Sequence, residues 1–364
     1  MNSSFPGEKL KFKKRTQKIE LNNFSNSVIV ESVKSDTDYN CNNDNSNEYD
    51  DIYDYSDENF DADINEYLND LYADDKNGGV KSTGSGPSTD MEVLPTEKDN
   101  TSFLPNPEEL TVLSGLTETQ IRAVKYIVDE SRKNSIQKEY ELFNKIQNAD
   151  HLQKLLLYIR DEAPIIIHID IANLCDTFMK DKYYRNLFET GHSKGTNCTT
   201  SRTTWENRMF NYIYDEKTTP FDRVKYGVLN VLNDPYGVNA CYSYGNSYFR
   251  LKRVRLRTSF ADGDTSSATS TLSSCEYYCH ILAKYNQEEL NATLDVALNR
   301  KKYVNSSIIS VYKEVQIHGP VDLSENVEAL VVNPSHKLNK PLIIKLDKLG
   351  EKYGFNVVWM DEIV

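Results

Sequence analysis

The sequence predicts an α+β protein in which helices come first and a mostly antiparallel, mixed sheet follows. Three observations support this prediction. Apolar residues recur at helical spacing after residue 117, a β-branched run begins at Ile165, and short apolar segments then alternate with turn residues. A long polar and acidic region precedes them. We therefore predict a disordered region over residues 1–105 and one globular domain over residues 106–364.

The N-terminal region contains few residues that could form a core. Residues 35–75 hold fifteen Asp and Glu and no Lys or Arg, so the net charge of −13 for the chain becomes +2 for the remainder. Such a segment cannot bury enough apolar surface to offset the entropy of ordering, which predicts disorder. Its spaced aromatic residues fit either a docking tail for a protein partner or a solvating tail. A Gly/Ser-rich linker follows at residues 77–89.

Charge and hydropathy argue against several classes of protein. The near-neutral remainder lacks the basic stripe of a nucleic-acid-binding protein, although a short basic run at residues 9–18 could be a nuclear address. No apolar region follows Met1, and no segment approaches the roughly 18 apolar residues of a membrane span. We expect a cytoplasmic protein without a signal peptide or membrane segment, with the nucleus as a second location. The six cysteines contain no Cys-x-x-Cys pair, which predicts free thiols in the cytosol. Cys275, Cys279 and His280 come close to a zinc-ligand cluster, but the further ligands are not evident, so we predict packing and no metal site.

The helical part begins at a capping box formed by Thr117 and Gln120. After residue 163 the pattern changes, because four Ile residues within residues 165–169 favour a buried strand. Further helices are predicted over residues 135–147, 151–160, 171–180, 205–214, 274–285 and 287–298. Further strands are predicted over residues 184–190, 224–232, 247–252, 254–260, 308–317, 329–332 and 357–359. Residues 262–264 (DGD) have the composition of a turn.

The strand near the C-terminus carries polar residues at every second position. In an extended chain Glu314, Gln316 and His318 project from one face, whereas Val315 and Ile317 project from the other and can be buried. Polar groups that face inward must find partners, which makes this row our first candidate for a site. The alternative is an exposed strand whose polar face meets water, since alternation is also typical of a half-buried strand.

Six short elements occur in an order that resembles a family known as a numbered domain of unknown function. The resemblance covers roughly residues 108–361. The elements are residues 185–195 (RNLFETGHSKG), 205–206 (WE), 225–230 (KYGVLN), 244–251 (YGNSYFRL), 257–260 (RTSF) with 262–264 (DGD), and 314–319 (EVQIHG).

The layout of that family is similar to the ADP-ribosyltransferase superfamily, in which an early strand carries Arg or His, a middle strand Ser or Thr, and a late strand Glu. The resemblance implies that Glu314 is the catalytic acid, with Gln316 and His318 as orienting neighbours and Ser259 as the middle hydroxyl. It implies NAD as the substrate. The residues implied to bind NAD are Arg185 at the pyrophosphate (Arg223 is the alternative), Tyr226 stacked on nicotinamide, and Gly191, Gly227 and Asn230.

The predicted function is therefore NAD-dependent ADP-ribosyl transfer to an unknown acceptor. Arginine-directed transferases carry an acid or amide two residues before the catalytic Glu, and Tyr312 occupies that position, so modification of arginine is not implied. Two alternatives remain open. Glu314 and His318 could together support acid–base hydrolysis of a nucleotide or a glycosidic bond. A non-catalytic domain could instead bind a protein partner and use the acidic segment as its docking arm.

Overall fold

The computed structural model describes residue 113 and residues 115–195, 198–267 and 269–363. The basic run, the acidic segment and the Gly/Ser-rich linker lie outside the described residues, as does the prediction of disorder over residues 1–105.

Helices open the described part of the chain, as predicted. The Thr117 hydroxyl accepts a hydrogen bond from the Gln120 amide, and the Gln120 side chain accepts one from the Thr117 amide, which confirms the capping box. Helix α1 (Glu118–Ile146) is continuous, so the prediction of a separate helix over residues 135–147 is wrong about where that helix begins. Residues 129–134 contain neither Gly nor Pro and offer no reason for a break. Helix α2 (Ala149–Leu157) runs into a π-helical turn, Tyr158–Glu162.

The strands form an α+β domain with a mixed, mostly antiparallel sheet, which confirms the predicted fold class. Eight strands lie in the order β10-β9-β4-β1-β3-β7-β5-β6, β9 and β10 are parallel, and β2 pairs with β8 in a separate ribbon. The strands are β1 (Ile165–Ile169), β2 (Tyr183–Tyr184), β3 (Lys225–Leu229), β4 (Ser247–Leu251), β5 (Thr258–Ala261), β6 (Leu272–Ser273), β7 (Lys313–Ile317), β8 (Val321–Asp322), β9 (Val327–Val332) and β10 (Asn356–Trp359).

The remaining helices are all shorter than α1. They are α3 (Ile171–Phe178), α4 (Leu187–Thr190), α5 (Thr199–Met209), α6 (Cys279–Leu282), α7 (Gln287–Ala297), α8 (Leu323–Asn326), α9 (Lys340–Tyr353) and α10 (Met360–Ile363). Short 3₁₀ turns occupy Asn239–Tyr244, Arg255–Arg257, Ser306–Ile308 and Pro334–Leu338.

The strand predicted over residues 184–190 is wrong, because most of this segment is the short helix α4. Asn186 caps the helix by accepting a hydrogen bond from the Glu189 amide, and the Glu189 carboxylate accepts one from the Asn186 amide. This reciprocal pair is a capping box. Gly191 ends the helix in the left-handed region, at φ 70°.

Several predicted helix and strand boundaries also differ from those in the structure. The helix predicted over residues 205–214 begins earlier and ends earlier, as α5, and the strand predicted over residues 254–260 starts with a 3₁₀ turn. The helix predicted over residues 274–285 shortens to the four residues of α6. Helix α9 was missed, although Asn339 caps it and Gly354 ends it in the left-handed region.

The sheet has one strongly apolar face and one mixed face. Ile165, Ile167 and Ile169 of β1 join Val315 and Ile317 of β7 in the main hydrophobic core. On the opposite face two smaller apolar clusters lie beside a polar region. One includes Phe210 and Tyr214 after α5, and the other includes Cys241 of a 3₁₀ turn and Met360 of α10. The predicted polar row lies on this mixed face.

Candidate active site

The three predicted polar residues of β7 lie on one face of a central strand. Directly opposite Gln316 across the sheet are Tyr226 of β3 and Ser259 of β5. Glu314 lies opposite Val228, which is in the apolar cluster on the same face. The side chain of Glu314 is 7% exposed and those of Gln316 and His318 are fully buried. The alternative of a polar face in open water is therefore wrong, because these groups find their partners inside the protein.

A continuous chain of hydrogen bonds runs along this row. The Tyr214 hydroxyl lies 2.7 Å from Nδ1 of His318, and Nε2 of the same ring lies 3.4 Å from the Ser259 hydroxyl. Ser259 donates to Oε1 of Gln316 at 2.9 Å, and Nε2 of Gln316 donates to Oε1 of Glu314 at 3.0 Å. The chain fixes which way the Gln316 amide faces. Its nitrogen is turned to Glu314, so Gln316 orients the carboxyl group.

His318 is a neutral structural member of this chain. Burial, together with the charge of Arg257, lowers the pKa of His318 to about 3. The imidazole is therefore uncharged at neutral pH, and Ser259 and Gln316 separate it from the carboxyl of Glu314. This geometry favours a positioning role over direct acid–base work with Glu314.

Glu314 has the properties of a functional acid. Burial raises the pKa of Glu314 to about 7, opposed by the Thr265 hydrogen bond and assisted by the negative charge of Asp264. The Thr265 hydroxyl and the Gln316 amide both donate to Oε1. Among the described residues no donor is bonded to Oε2. One oxygen of the carboxyl group is thus held by the protein, and the other remains to bind a ligand.

The loop between β5 and β6 is attached to the start of β7 at two points. Thr265 donates to Glu314, and the Tyr312 hydroxyl donates to Oδ2 of the neighbouring Asp264 at 2.9 Å. Asp264 is exposed, in contrast to Glu314. Burial acts to raise the pKa of Asp264, but the Ser266 amide and the Tyr312 hydroxyl hold it below its usual value. The site thus places an ionised, accessible carboxylate next to a buried one that binds its proton more tightly.

Helix α5 contributes a cation and a second acid. The guanidinium carbon of Arg202 lies 4.5 Å from the ring centre of Tyr226 and 5.2 Å from that of Trp205. Tyr226 donates through its hydroxyl to Oε1 of Glu206 at 3.1 Å. Arg223 pairs with the other oxygen of Glu206 at 2.8 Å. The fully buried Glu206 is therefore satisfied by protein groups and sets the position of Tyr226.

The two arginines that the sequence suggested for NAD are engaged elsewhere. Arg185 donates through Nε to Asp181 at 2.6 Å and through Nη1 to Glu189 at 2.6 Å, so its planar fork bridges two carboxylates. Arg223 is bound to Glu206 and to the backbone oxygen of Asp215. Both guanidinium groups are therefore bound to protein groups in the structure.

The remaining residues predicted to bind NAD divide between the site and the scaffold. Tyr226 lies in the site, beside Gln316. Gly227 does not face it, because an added Cβ would lie 2.7 Å from the Ile166 backbone oxygen and 3.2 Å from Val315 of the main core. Asn230 donates to the backbone oxygen of Asp234 at 2.8 Å and supports a turn. Gly191 ends α4, and the space around its Cβ position is open.

The sequence reasoning missed two residues of the site, Arg202 and Thr265, and it missed the role of a third, Asp264. Asp264 was recognised only as part of a turn. Arg202 stands in a Ser/Thr-rich stretch, TTSRTTW, that carries no recognisable signal. Only the sheet order brings these segments together, since β7 lies between β3 and β5.

Metal ligation and membrane insertion find no support in the described residues. In this part of the chain no group of three or more His, Cys, Asp or Glu is arranged to hold a metal ion. None of the five described cysteines forms a disulfide there. The helices that the structure describes are all too short or too polar to cross a bilayer.

A family model matches residues 164–309 and 287–363 of the chain, and its description is "Protein of unknown function (DUF3626)". The matched residues include every strand of the sheet and the polar row of β7. The search of curated proteins gave no match.

Proposed function

The chain belongs to the DUF3626 family of unknown function, and from its site geometry we propose that it cleaves the N-glycosidic bond of NAD and transfers ADP-ribose to an acceptor. The observation that carries this proposal is the buried carboxyl group of Glu314. It is oriented by Gln316 and Thr265 and lies on the same face as the aromatic ring of Tyr226.

The chemistry requires a negative charge beside the ribose. The bond between C1′ and the nicotinamide nitrogen breaks, nicotinamide leaves with the electron pair, and positive charge develops on the ribose ring. A fixed carboxylate stabilises that charge and accepts a hydrogen bond from a ribose hydroxyl. Glu314 suits this role, because Oε1 is held in place by two donors while Oε2 is not bonded by any described donor. The acceptor then forms a new bond to C1′ and loses its proton.

The surroundings support a bound nucleotide. Tyr226 offers an aromatic face next to the polar row, and stacking on a nicotinamide ring would place that ring near Glu314. The same ring already stacks against Arg202, so a flat, polarisable platform and a positive charge lie within one part of the site. An aromatic surface next to a cation suits a ligand that combines heteroaromatic rings with phosphates.

A second candidate is hydrolysis, in which water is the acceptor. The specific observation in its favour is the pair of carboxyl groups, Asp264 with a lowered pKa and Glu314 with a raised one. Environments that push two neighbouring pKa values apart are typical of acid and base assignments in one active site. In the hydrolytic mechanism the exposed Asp264 takes a proton from the attacking water, while Glu314 stabilises the positive charge that develops on the ribose.

The decisive experiment incubates the full chain with NAD labelled in the adenylate part. Released nicotinamide is measured by chromatography, and label on protein is measured after denaturing electrophoresis. The wild type should release nicotinamide, and Glu314→Gln should reduce the rate about 10²-fold or more, in the range found when a stabilising group is removed. Glu288→Gln, which alters an exposed carboxylate of α7, is the matched control and should behave as the wild type.

The outcomes separate the three hypotheses. Label on protein supports transfer, whereas free ADP-ribose without labelled protein supports hydrolysis. A wild type that neither binds nor consumes NAD contradicts both enzymatic proposals. If deletion of residues 35–75 abolishes binding of a protein partner and NAD is not consumed by either form, the result would support a non-catalytic domain that uses the acidic segment as its docking arm.

A further inference from the structure

Arg202 is a cation whose guanidinium group is not fully bonded within the described part of the protein. Its Nε atom is buried and has no hydrogen-bond partner there. None of the ion pairs found between described residues involves Arg202. A buried donor that is left unsatisfied destabilises the folded state, and more strongly when the group is charged. This destabilisation indicates that a group from outside the described residues completes the contact.

Three acids, Glu206, Glu314 and Asp264, lie near enough to interact with the charge of Arg202, but none is bonded to its Nε atom. Glu206 uses one oxygen for Arg223 and the other for Tyr226. Oε1 of Glu314 accepts from Thr265 and Gln316. Burial acts to lower the pKa of Arg202, but Tyr226 and Glu314 hold it above its usual value. The guanidinium group is therefore charged and close to Glu314, yet its Nε atom is bonded to none of these acids.

Two aromatic rings hold the guanidinium group in place. Its carbon lies within stacking distance of both Tyr226 and Trp205. These ring contacts position the group and leave its Nε–H donor without a partner among the described residues. A planar fork of this kind matches two oxygens of a phosphate group.

We propose that Arg202 is the anion-binding residue of the site and that it holds the pyrophosphate of a nucleotide substrate. The anion would accept the hydrogen bond that Nε lacks and would lie against the positive charge of the group. Arg185 and Arg223 cannot supply an equivalent fork without giving up their carboxylate partners. The identity of the ligand as a nucleotide rests on the proposed function, whereas the anion site rests only on the geometry of Arg202.

The test measures binding by calorimetric titration of the full chain with inorganic pyrophosphate, ADP-ribose and adenosine. Arg202→Met keeps the apolar part of the side chain and removes the charge. It should weaken binding of pyrophosphate and ADP-ribose roughly tenfold to a hundredfold, in line with the loss of a charge-assisted hydrogen bond. Adenosine carries no phosphate, and its affinity should not change. Arg122→Met, at an exposed position of α1, is the matched control and should bind as the wild type.

A second variant keeps the test valid if Arg202→Met does not fold. Arg202→Lys retains the charge and loses the fork, and thermal unfolding shows whether each variant is folded. Arg202→Lys should bind pyrophosphate more weakly than the wild type, because an ammonium group cannot make the paired contact. Unchanged pyrophosphate affinity in a folded Arg202 variant would overturn the proposal, and so would a wild type that does not bind pyrophosphate.

Failure of this site and failure of the proposed function are distinguishable. A protein that binds pyrophosphate through Arg202 but does not consume NAD retains the anion site and loses the NAD reaction. A protein that consumes NAD with the same KM in the wild type and in Arg202→Met retains the reaction and loses this site.

Discussion

The side-chain amide of Gln316 donates a hydrogen bond to the carboxyl group of Glu314, two residues earlier on the same strand, at 3.0 Å. Ser259 holds the other end of the amide, so that Gln316 cannot turn its oxygen to Glu314 without losing this contact. A donor to a carboxylate stabilises the ionised form. The chain of hydrogen bonds from Tyr214 to Glu314 therefore sets both the direction and the acidity of the catalytic acid we propose.

Gln316→Met should raise the pKa of Glu314 further, because the carboxylate loses one of its two donors. The acidic limb of the pH profile of nicotinamide release should move to higher pH. The loss of a buried hydrogen bond should also reduce the free energy of unfolding by about 1–3 kcal/mol. Ser259→Ala is the matched variant, since it removes the support of the amide but leaves the donor to Glu314. It should shift the profile less, and an equal shift in both variants would contradict this order of effects.

The pH dependence of the reaction distinguishes the two roles open to Glu314. As a carboxylate that stabilises developing positive charge, Glu314 must be ionised. With a pKa of about 7, kcat/KM should rise as the pH increases through about 7 and then level off. A proton donor would give the opposite result, with kcat/KM falling over the same range. The measurement is the initial rate of nicotinamide release at low NAD concentration between pH 5 and 9, with Glu314→Gln as the control that should lack this transition.

The stability of the protein should also respond to this group. Folded Glu314 holds its proton up to about pH 7, whereas in the unfolded chain the group ionises near its ordinary value of 4.5. The folded state binds more protons between these values, so the free energy of unfolding falls as the pH rises through this window. The shift corresponds to about 3 kcal/mol for a buried carboxyl group. Glu314→Gln should remove this fall in the free energy of unfolding with rising pH.

Urea unfolding at pH 4.5 and pH 8 provides the measurement. The free energy of unfolding of Glu314→Gln relative to the wild type should be higher at pH 8 than at pH 4.5 by on the order of 3 kcal/mol. A variant that is more stable at pH 8 and inactive would show that the acid is kept for function at a cost in stability. Parallel behaviour of the two proteins over this range would show that burial does not perturb Glu314 as the structure indicates.

The sequence was sufficient to predict the row but not the parts that Thr265 and Arg202 play in the site. Alternation at Glu314, Gln316 and His318 is a local property, because successive residues of any strand face opposite sides. The hydrogen bond from Thr265 to Glu314 and the contact of Arg202 with Tyr226 depend on which strands become neighbours, and that order is set by pairing between distant segments. A local signal was also misinterpreted: Asn186 and Glu189 have the spacing of a capping box, but the β-forming residues around them favoured a strand.

Asp264→Asn separates an electrostatic role of the second carboxyl group from a chemical one. The negative charge of Asp264 helps to raise the pKa of Glu314, so its removal should lower that pKa. If Glu314 acts in ADP-ribosyl transfer, the rise of kcat/KM with pH should begin at lower pH, with little change at pH 9. If Asp264 is the base of a hydrolase, the rate should instead fall at every pH, by roughly 10²–10⁴-fold.

The asparagine can still accept the hydrogen bond from Tyr312, which keeps the loop attached to β7. Tyr312→Phe is the complementary variant, because it removes this attachment and retains the Asp264 charge. A shift of the profile in Asp264→Asn that is absent from Tyr312→Phe would assign the effect to charge.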